Sequence, residues 1–424
     1  MSLLRVKDLR VYYKIMEGEV NAVDGIDLTV ERGETIGLVG ESGCGKTTAA
    51  FAIMKLLPAN GMIMTGEIQF EGKTVVRAPL INELKYYLRS GDWEDAVKRI
   101  ISGRKGEALK ARSPMEEDFP DIPLTDQEMD LLDRIEEALR QGDGVDPETI
   151  RKRLWNLVAR REASFVHAIG RKAKARMEED VLRSLRWSRI SMIFQGAMNA
   201  FNPVYKVGDQ IKEALLAHMD LTPEEADERV AELFDLVGLD KDMMTGYPHE
   251  FSGGMKQRAM IAMSLACNPD LIIADEPTTA LDVIMQDRIL AEIGDLQRKF
   301  NIAMMIITHD ISVVAEVADK IAIMYAGEIA EEGPIVSVFD RTSHPYTIGL
   351  MEAFPSIKGE KKRLRAIPGS PPDLVRPPSG CRFHPRCRFA KDICRGISPS
   401  LVEVEPGHRA ACHFAEDIYS GELA

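Results

Sequence analysis

Apolar residues recur along this chain in two periods, and the change from one to the other divides it. Residues 3–32 alternate in short runs, Leu4-Arg5-Val6, Leu9-Arg10-Val11-Tyr12-Tyr13, Ala22-Val23 and Ile26-Asp27-Leu28-Thr29-Val30, each predicting a strand. Glu34 to Val39 reads as a buried strand, and Ala49 to Leu57 as a helix stopped by Pro58. Thr65 to Lys73 predicts another strand and a hairpin turn. From about Ala78 to Arg186 the spacing turns helical among many charges, as in Asp130 to Arg140 and the long run Arg151 to Arg186. The stretches Arg112 to Pro123 and Gln141 to Gly144 separate the helical pieces. This predicts an inserted, charged helical subdomain over 78–186, roughly 100 residues and near the size at which domains stand alone.

Mixed α/β character returns at Ile190 to Gln195, a strand ending in a polar residue. Helices are predicted at Val207 to Ala217 and, behind Thr222 and Pro223, at Glu224 to Val237. A Ser-Gly-Gly turn at 252–254 opens an apolar helix to Cys267. Leu271 to Pro277 and Ile302 to Asp310 are apolar runs ending in polar residues, separated by a helix from Gln286 to Arg298. Continuous apolar strands alternating with helices imply an α/β fold with a mostly parallel sheet covered on both faces. The expected domains are 1–77 with 187–335, the insertion 78–186, and a C-terminal extension 336–424.

Composition narrows the partners. A net charge of −13 argues against nucleic acid, which favours a basic face. No run approaches the roughly 18 uncharged apolar residues of a membrane span. Met1 to Val6 enters a strand-like segment at once, so no secretory signal is expected. Six cysteines in 424 residues do not suggest a disulfide scaffold, and the chain is expected to be intracellular.

Chemistry enters at the strand ends. Gly40, Glu41, Ser42, Gly43, Cys44, Gly45, Lys46, Thr47 and Thr48 fit the phosphate-binding pattern G-x-x-x-x-G-K-[ST] between a strand and a helix. The glycines let backbone N–H groups turn inward around a phosphate, and the helix N-terminus adds partial positive charge. Lys46 is placed to reach the β- and γ-phosphates, and the Thr47 hydroxyl to ligate Mg²⁺. At the end of its strand Asp275 is a second Mg²⁺ ligand, direct or through water, and Glu276 a general base for an attacking water. His309 is placed on the γ-phosphate, Gln195 on the metal or the water. Tyr13, or failing that Tyr12, is a candidate for stacking on a base.

In this order, these segments together with Phe251-Ser252-Gly253-Gly254-Met255 and Ala280-Leu281-Asp282 resemble an ABC-type ATPase. The resemblance implies a mostly parallel RecA-like core, an antiparallel β subdomain and an α-helical signature subdomain. It implies ATP as ligand, with adenine on Tyr13 and a Q-loop beginning at Gln195. Ser252, Gly253, Gly254 and Met255 would face the ATP of an opposing subunit, with Asp282 in the loop spanning the dimer. Phe251 and Met255 depart from the family's usual Leu and Gln.

A closer resemblance is to the ATPase subunits of peptide/nickel-type importers. It rests on Gly40-Glu41-Ser42-Gly43, Phe201-Asn202-Pro203, Lys256-Gln257-Arg258, His344-Pro345-Tyr346-Thr347 and Ile367 to Pro372. It covers most of 3–76 and 187–415 and leaves 78–186 outside. Gly196-Ala197 stand where Asp-Pro is common. The implied partners are a second ABC ATPase subunit in a heterodimer, two transmembrane permease subunits and an extracytoplasmic binding protein. The implied place is the cytoplasmic face of the membrane. Di- or oligopeptides are the expected cargo; nickel or oligosaccharides, or a soluble ABC ATPase outside transport, are the alternatives.

Cys381, Cys387, Cys394 and Cys412 follow in the spacing C-x5-C-x6-C-x17-C, interleaved with Arg382, His384, Arg386 and Arg388. Four thiols in an intracellular chain favour metal over disulfides. The spacing lacks the C-x2-C knuckles of structural zinc, and arginines offset the charge of a thiolate-bound cluster. The family resemblance also points to a 4Fe–4S cluster, which ranks above zinc and above free thiols; His408 and His413 are read as bystanders.

Overall fold

A computed structural model describes residues 2–78, 80–89, 130, 132–135, 137, 148–156, 185–196, 200–279, 282–353 and 366–423. Two compact units emerge, one from 1–62, 68–76 and 184–424, the other from 63–67 and 77–183. Part of the predicted helical run Asp130 to Arg140, residues 157–184 of the run Arg151 to Arg186, and the separators at 112–123 and 141–144 lie outside the described residues. So do Ala197, Ala280 and Leu281.

The alternating runs of residues 3–32 join into two long strands, β1 (Leu4–Ile15) and β2 (Gly18–Val30), paired antiparallel. Register shifts at Val6/Leu9, Leu9/Arg10 and Val11/Tyr12 explain why four short strands were read: each irregularity interrupts the two-residue alternation. With β4 (Gly61–Phe70) and β5 (Lys73–Arg77) they form a four-stranded sheet ordered β2-β1-β4-β5.

The second sheet has eight strands. Its parallel centre is built from β3 (Thr35–Val39), β6 (Ile190–Ile193), β7 (Leu271–Asp275), β8 (Ala303–Thr308) and β9 (Lys320–Tyr325), in spatial order β9-β3-β8-β7-β6. All residues of β3, β6, β7 and β8 are buried, as expected for strands covered on both faces. Beyond β9, β10 (Glu328–Pro334) turns antiparallel, and two late strands follow, β12 (His408–Ala410) and β11 (Val402–Glu405). The C-terminal extension thus enters the same sheet as the phosphate loop.

Helices start where capping chemistry allows. Thr222 accepts from Glu225 N while Glu225 Oε2 takes the Thr222 N–H, a closed capping box for Pro223–Leu236. Ser252 caps Gly253–Leu265, and Asp282 caps Val283–Phe300, whose far end stops at left-handed Asn301. Ile211, Val230, Phe234, Ala259 and Ile272 share one apolar core; Val314, Ile323, Tyr325, Tyr346 and Phe383 belong to another. In the other unit, Leu84, Leu88, Leu132, Ile135, Ile150 and Leu154 are buried, and Leu80–Arg89 is helical. Among the described residues no helix is long and apolar enough to cross a membrane.

Candidate active site

The phosphate loop leaves the carboxyl end of β3 and runs into the helix α1 (Lys46–Ile53). A Cβ at Gly40 would come within 2.2 Å of the Met324 carbonyl oxygen, and one at Gly45 within 2.0 Å of that of Ala22. Backbone packing therefore excludes side chains there. Gly45 is also left-handed at φ 104°, a turn that L residues resist. No side chain caps α1 and no acid sits in its first turn, so its N–H groups stay available to an anion. Lys46 is buried, its ammonium donating to Gly40 O at 2.7 Å and Glu41 O at 3.0 Å. Burial pushes the nearby Cys44 thiol up, against the opposing pull of Lys46.

Asp275 ends β7 and is 1% exposed, yet neither carboxylate oxygen has a hydrogen-bond partner. Burial raises its pKa; Thr47 and Lys46 oppose that and Glu276 adds to it. The Thr47 hydroxyl faces the carboxylate without reaching hydrogen-bond geometry. A buried carboxylate left this way is costly unless a cation completes it, so the pair Thr47 and Asp275 fits Mg²⁺.

Glu276 is held left-handed at φ 47°, a strained state for a residue with a side chain. The twist aims its carboxylate at three groups. Gln195 Nε2 donates to Oε2 at 2.7 Å, Thr279 Oγ1 donates to Oε2 at 2.9 Å, and His309 Nδ1 lies 3.1 Å from Oε1. Burial raises the Glu276 pKa, but contacts from His309, Thr279 and Gln195 outweigh it and hold the carboxyl below its ordinary value. Three residues singled out from sequence, Gln195, Glu276 and His309, thus meet at one point. Thr279 was missed; the only local signal was a hydroxyl three positions after Glu276.

Of the two tyrosines, Tyr12 is buried with its hydroxyl on Asp24, while the half-buried Tyr13 donates to Thr48 Oγ1 at 3.2 Å. Tyr13 is therefore the one beside the loop. Ser252 and Asp282 spend their side chains on caps, and a Cβ at Gly254 would meet Met285 Cε, so the two segments adjoin each other. Among the described residues no hydrogen bond links Ser252–Met255 to the phosphate loop.

The family model described as ABC transporter matches residues 23–153 and 166–279. The chain is 36% identical to the oligopeptide transport ATP-binding protein OppD of Escherichia coli, over 97% of this chain and 93% of that one. The corresponding protein of Bacillus subtilis is 36% identical over 96% and 87%, and that of Haemophilus influenzae 34% over 99% of each.

The chain belongs to the ABC transporter ATP-binding proteins.

The family match runs through much of 78–186, a stretch expected to lie outside the resemblance. A second model, described as oligopeptide/dipeptide transporter, C-terminal region, matches residues 330–394. In this ABC ATPase that region is tied to the nucleotide loop. Arg386 forms a two-pronged ion pair with Glu41, Nη1 to Oε2 at 2.6 Å and Nη2 to Oε1 at 2.9 Å. The Glu41 N–H donates to Tyr346 Oη at 3.0 Å. Sequence reading missed both links: His344 to Thr347 and Arg386 stood out as tail motifs, but no local pattern aims them at a loop some 300 positions earlier.

Cys381, Cys387, Cys394 and Cys412 line one cavity with His344, His384 and His413. Burial pushes the Cys381 thiol up to about 11 and that of Cys412 up to about 12, the neighbouring thiols adding to both. Among the described residues no group of three or more His, Cys, Asp or Glu side chains is arranged to hold a metal ion. The four thiols share a cavity, which by itself does not show the expected metal centre. His413 Nε2 bonds Ile397 O, and His408 is fully buried with its Nε2 on Glu331.

Proposed function

We propose that this ABC ATPase powers peptide uptake from the cytoplasmic face of a membrane, as the subunit that binds and hydrolyses ATP. The convergence of Gln195 and His309 on Glu276, next to the unpaired carboxylate of Asp275, carries the reading. The glycine-framed loop and the free N–H groups of α1 take the β-phosphate, and Lys46 moves from the loop carbonyls onto the phosphates. Thr47 and Asp275, joined by Gln195, would hold Mg²⁺, which neutralises charge developing on the phosphates. Glu276 accepts a proton from water as the water attacks the γ-phosphorus, whose bond to the β,γ-bridging oxygen breaks so that ADP leaves and phosphate forms. His309 holds Glu276 in line, and Tyr13 stacks on adenine. In a head-to-tail pair with a second ATPase subunit, Ser252, Gly253, Gly254 and Met255 close the other subunit's γ-phosphate, with Asp282 spanning the joint.

The similarity of 330–394 to the oligopeptide/dipeptide transporter C-terminal region favours peptides over nickel or oligosaccharides. Two permease subunits and an external binding protein complete the assembly. The cassette comprises 1–77 and 187–335, with the 78–186 insertion and the 336–424 extension attached. Co-purification from membranes tests this: two multi-span subunits should accompany the chain, and a cognate peptide should raise ATP turnover. Recovery on ribosomes, or peptide-independent turnover in the full assembly, would refute it.

We propose also that the extension carries a 4Fe–4S cluster on Cys381, Cys387, Cys394 and Cys412, with zinc as the alternative. Four thiols on one cavity supply the donors, and a cluster spreads its thiolates over four irons rather than around a point. Anaerobically purified protein should be brown, with iron and sulfide at cluster stoichiometry. A colourless zinc protein would decide for the alternative.

A further inference from the structure

Glu41, second residue of the phosphate loop, is gripped by all three of its polar handles. Its carbonyl accepts from Lys46 at 3.0 Å, its N–H donates to Tyr346 Oη, and its carboxylate lies in the fork of Arg386. Two of the three grips come from the C-terminal extension. The Arg386 side chain is 6% exposed and is itself pinned. Its Nε donates to Pro368 O at 2.8 Å, its Nη1 to Tyr325 Oη at 3.3 Å, and its guanidinium lies 5.7 Å from the Tyr325 ring centre. Tyr346 is fully buried, 4.6 Å from Tyr325 and 5.4 Å from Phe383 between ring centres. Tyr325 in turn ends β9, the strand beside β3, from which the loop springs. Glu41 is therefore referenced to a rigid aromatic block.

We infer that Arg386 is a positioning residue for ATP binding: through Glu41 it presets the entry side of the phosphate loop, so that less ordering remains when nucleotide arrives. The inference rests on the reading of Gly40–Thr48 as the ATP loop. Arg386 touches no reacting atom; its effect belongs to affinity, not to the hydrolytic step. A planar fork matched to a carboxylate is a property of Arg that Lys lacks, so the charge-conserving variant recovers only part of it.

The test is equilibrium binding of ATP to the full-length chain, with turnover measured in the importer assembly and stability by urea unfolding. Arg386→Met should raise the ATP Kd and KM about tenfold, and Arg386→Lys about threefold, with kcat at saturating ATP within about twofold. Because Arg386 acts through Glu41, the double variant Arg386→Met with Glu41→Gln should bind no more weakly than Arg386→Met alone. Arg388→Ala, which removes a surface pair with Glu352, should bind as wild type does. If Arg386→Met and Arg386→Lys bind ATP with unchanged Kd, or if only the urea midpoint or kcat falls, the inference is overturned while the loop reading stands. Lys46→Ala separates the two: it should lose ATP binding, and wild-type affinity in that variant would overturn the loop reading and the inference together.

Discussion

Replacing Glu276 by Gln isolates charge from shape. The amide oxygen can still accept from Gln195 and Thr279, which stand 2.7 and 2.9 Å away, and the amide N–H can donate to a neutral His309. Gln also bears the left-handed backbone no worse than Glu, so the ground-state cost is at most about 1 kcal/mol. What is lost is the base. A positioned general base contributes about 10²–10⁴ in rate, or about 3–5 kcal/mol of barrier. The Glu276→Gln importer should therefore bind ATP with a Kd within about threefold of wild type while kcat falls at least about 100-fold. Its ATP-bound ATPase pair, unable to turn over, should accumulate closed and elute as a dimer. Continuous phosphate release gives the rate, equilibrium dialysis the affinity, and size exclusion with ATP the closed state. A kcat within about threefold of wild type would refute the assignment, because among the described residues no other carboxylate bonds Gln195, Thr279 or His309: Asp275 has no hydrogen-bond partner, and burial raises its pKa.

Two further outcomes test the surrounding structure. His344 is buried and its Nδ1 accepts from Tyr346 N, and burial pushes its pKa from 6.5 down to about 4. The unfolded chain takes up that proton first, so stability from neutral His344 is intact above pH 6.5 and is lost as the pH falls toward 4. The full shift is worth about 3 kcal/mol. His344→Asn, which keeps an acceptor, should flatten urea stability across this window; an unchanged slope would contradict it. Thr222→Ala opens the capping box of Pro223–Leu236 and should cost about 1 kcal/mol, lowering Tm by about 2–4 °C without touching ATP affinity; an unshifted Tm would contradict the cap.

Much of the site was legible because its chemistry is local. Gly40 to Thr48 carries its geometry in its own backbone, and Asp275, Glu276 and His309 announce themselves as polar tips on apolar runs. Even the caps at Ser252 and Asp282 are short-range. What sequence withheld was pairing over distance. The order β9-β3-β8-β7-β6 sets His309 beside Glu276, and neither periodicity nor composition encodes that adjacency. The Arg386–Glu41 link depends on the extension folding back, and an arginine before a cysteine reads locally as charge compensation for a thiolate cluster. The four cysteines were legible as a group, but their meeting on one cavity follows from packing alone.

The placement of β12 bears on how the chain can be cut. A truncation after residue 335 would look reasonable, since it keeps every motif of the ATP site. It would also peel β12 from β10, leaving the backbone at Glu331 and Glu332 as an open sheet margin. Glu331, fully buried and bonded to Ser343 N, His344 N and His408, would lose all three partners. Such a margin is a template for strand addition by another molecule. The shortened cassette should therefore self-associate into sheets at concentrations where the whole chain stays dispersed, with only β9 between the exposed seam and β3, the strand that leads into the phosphate loop.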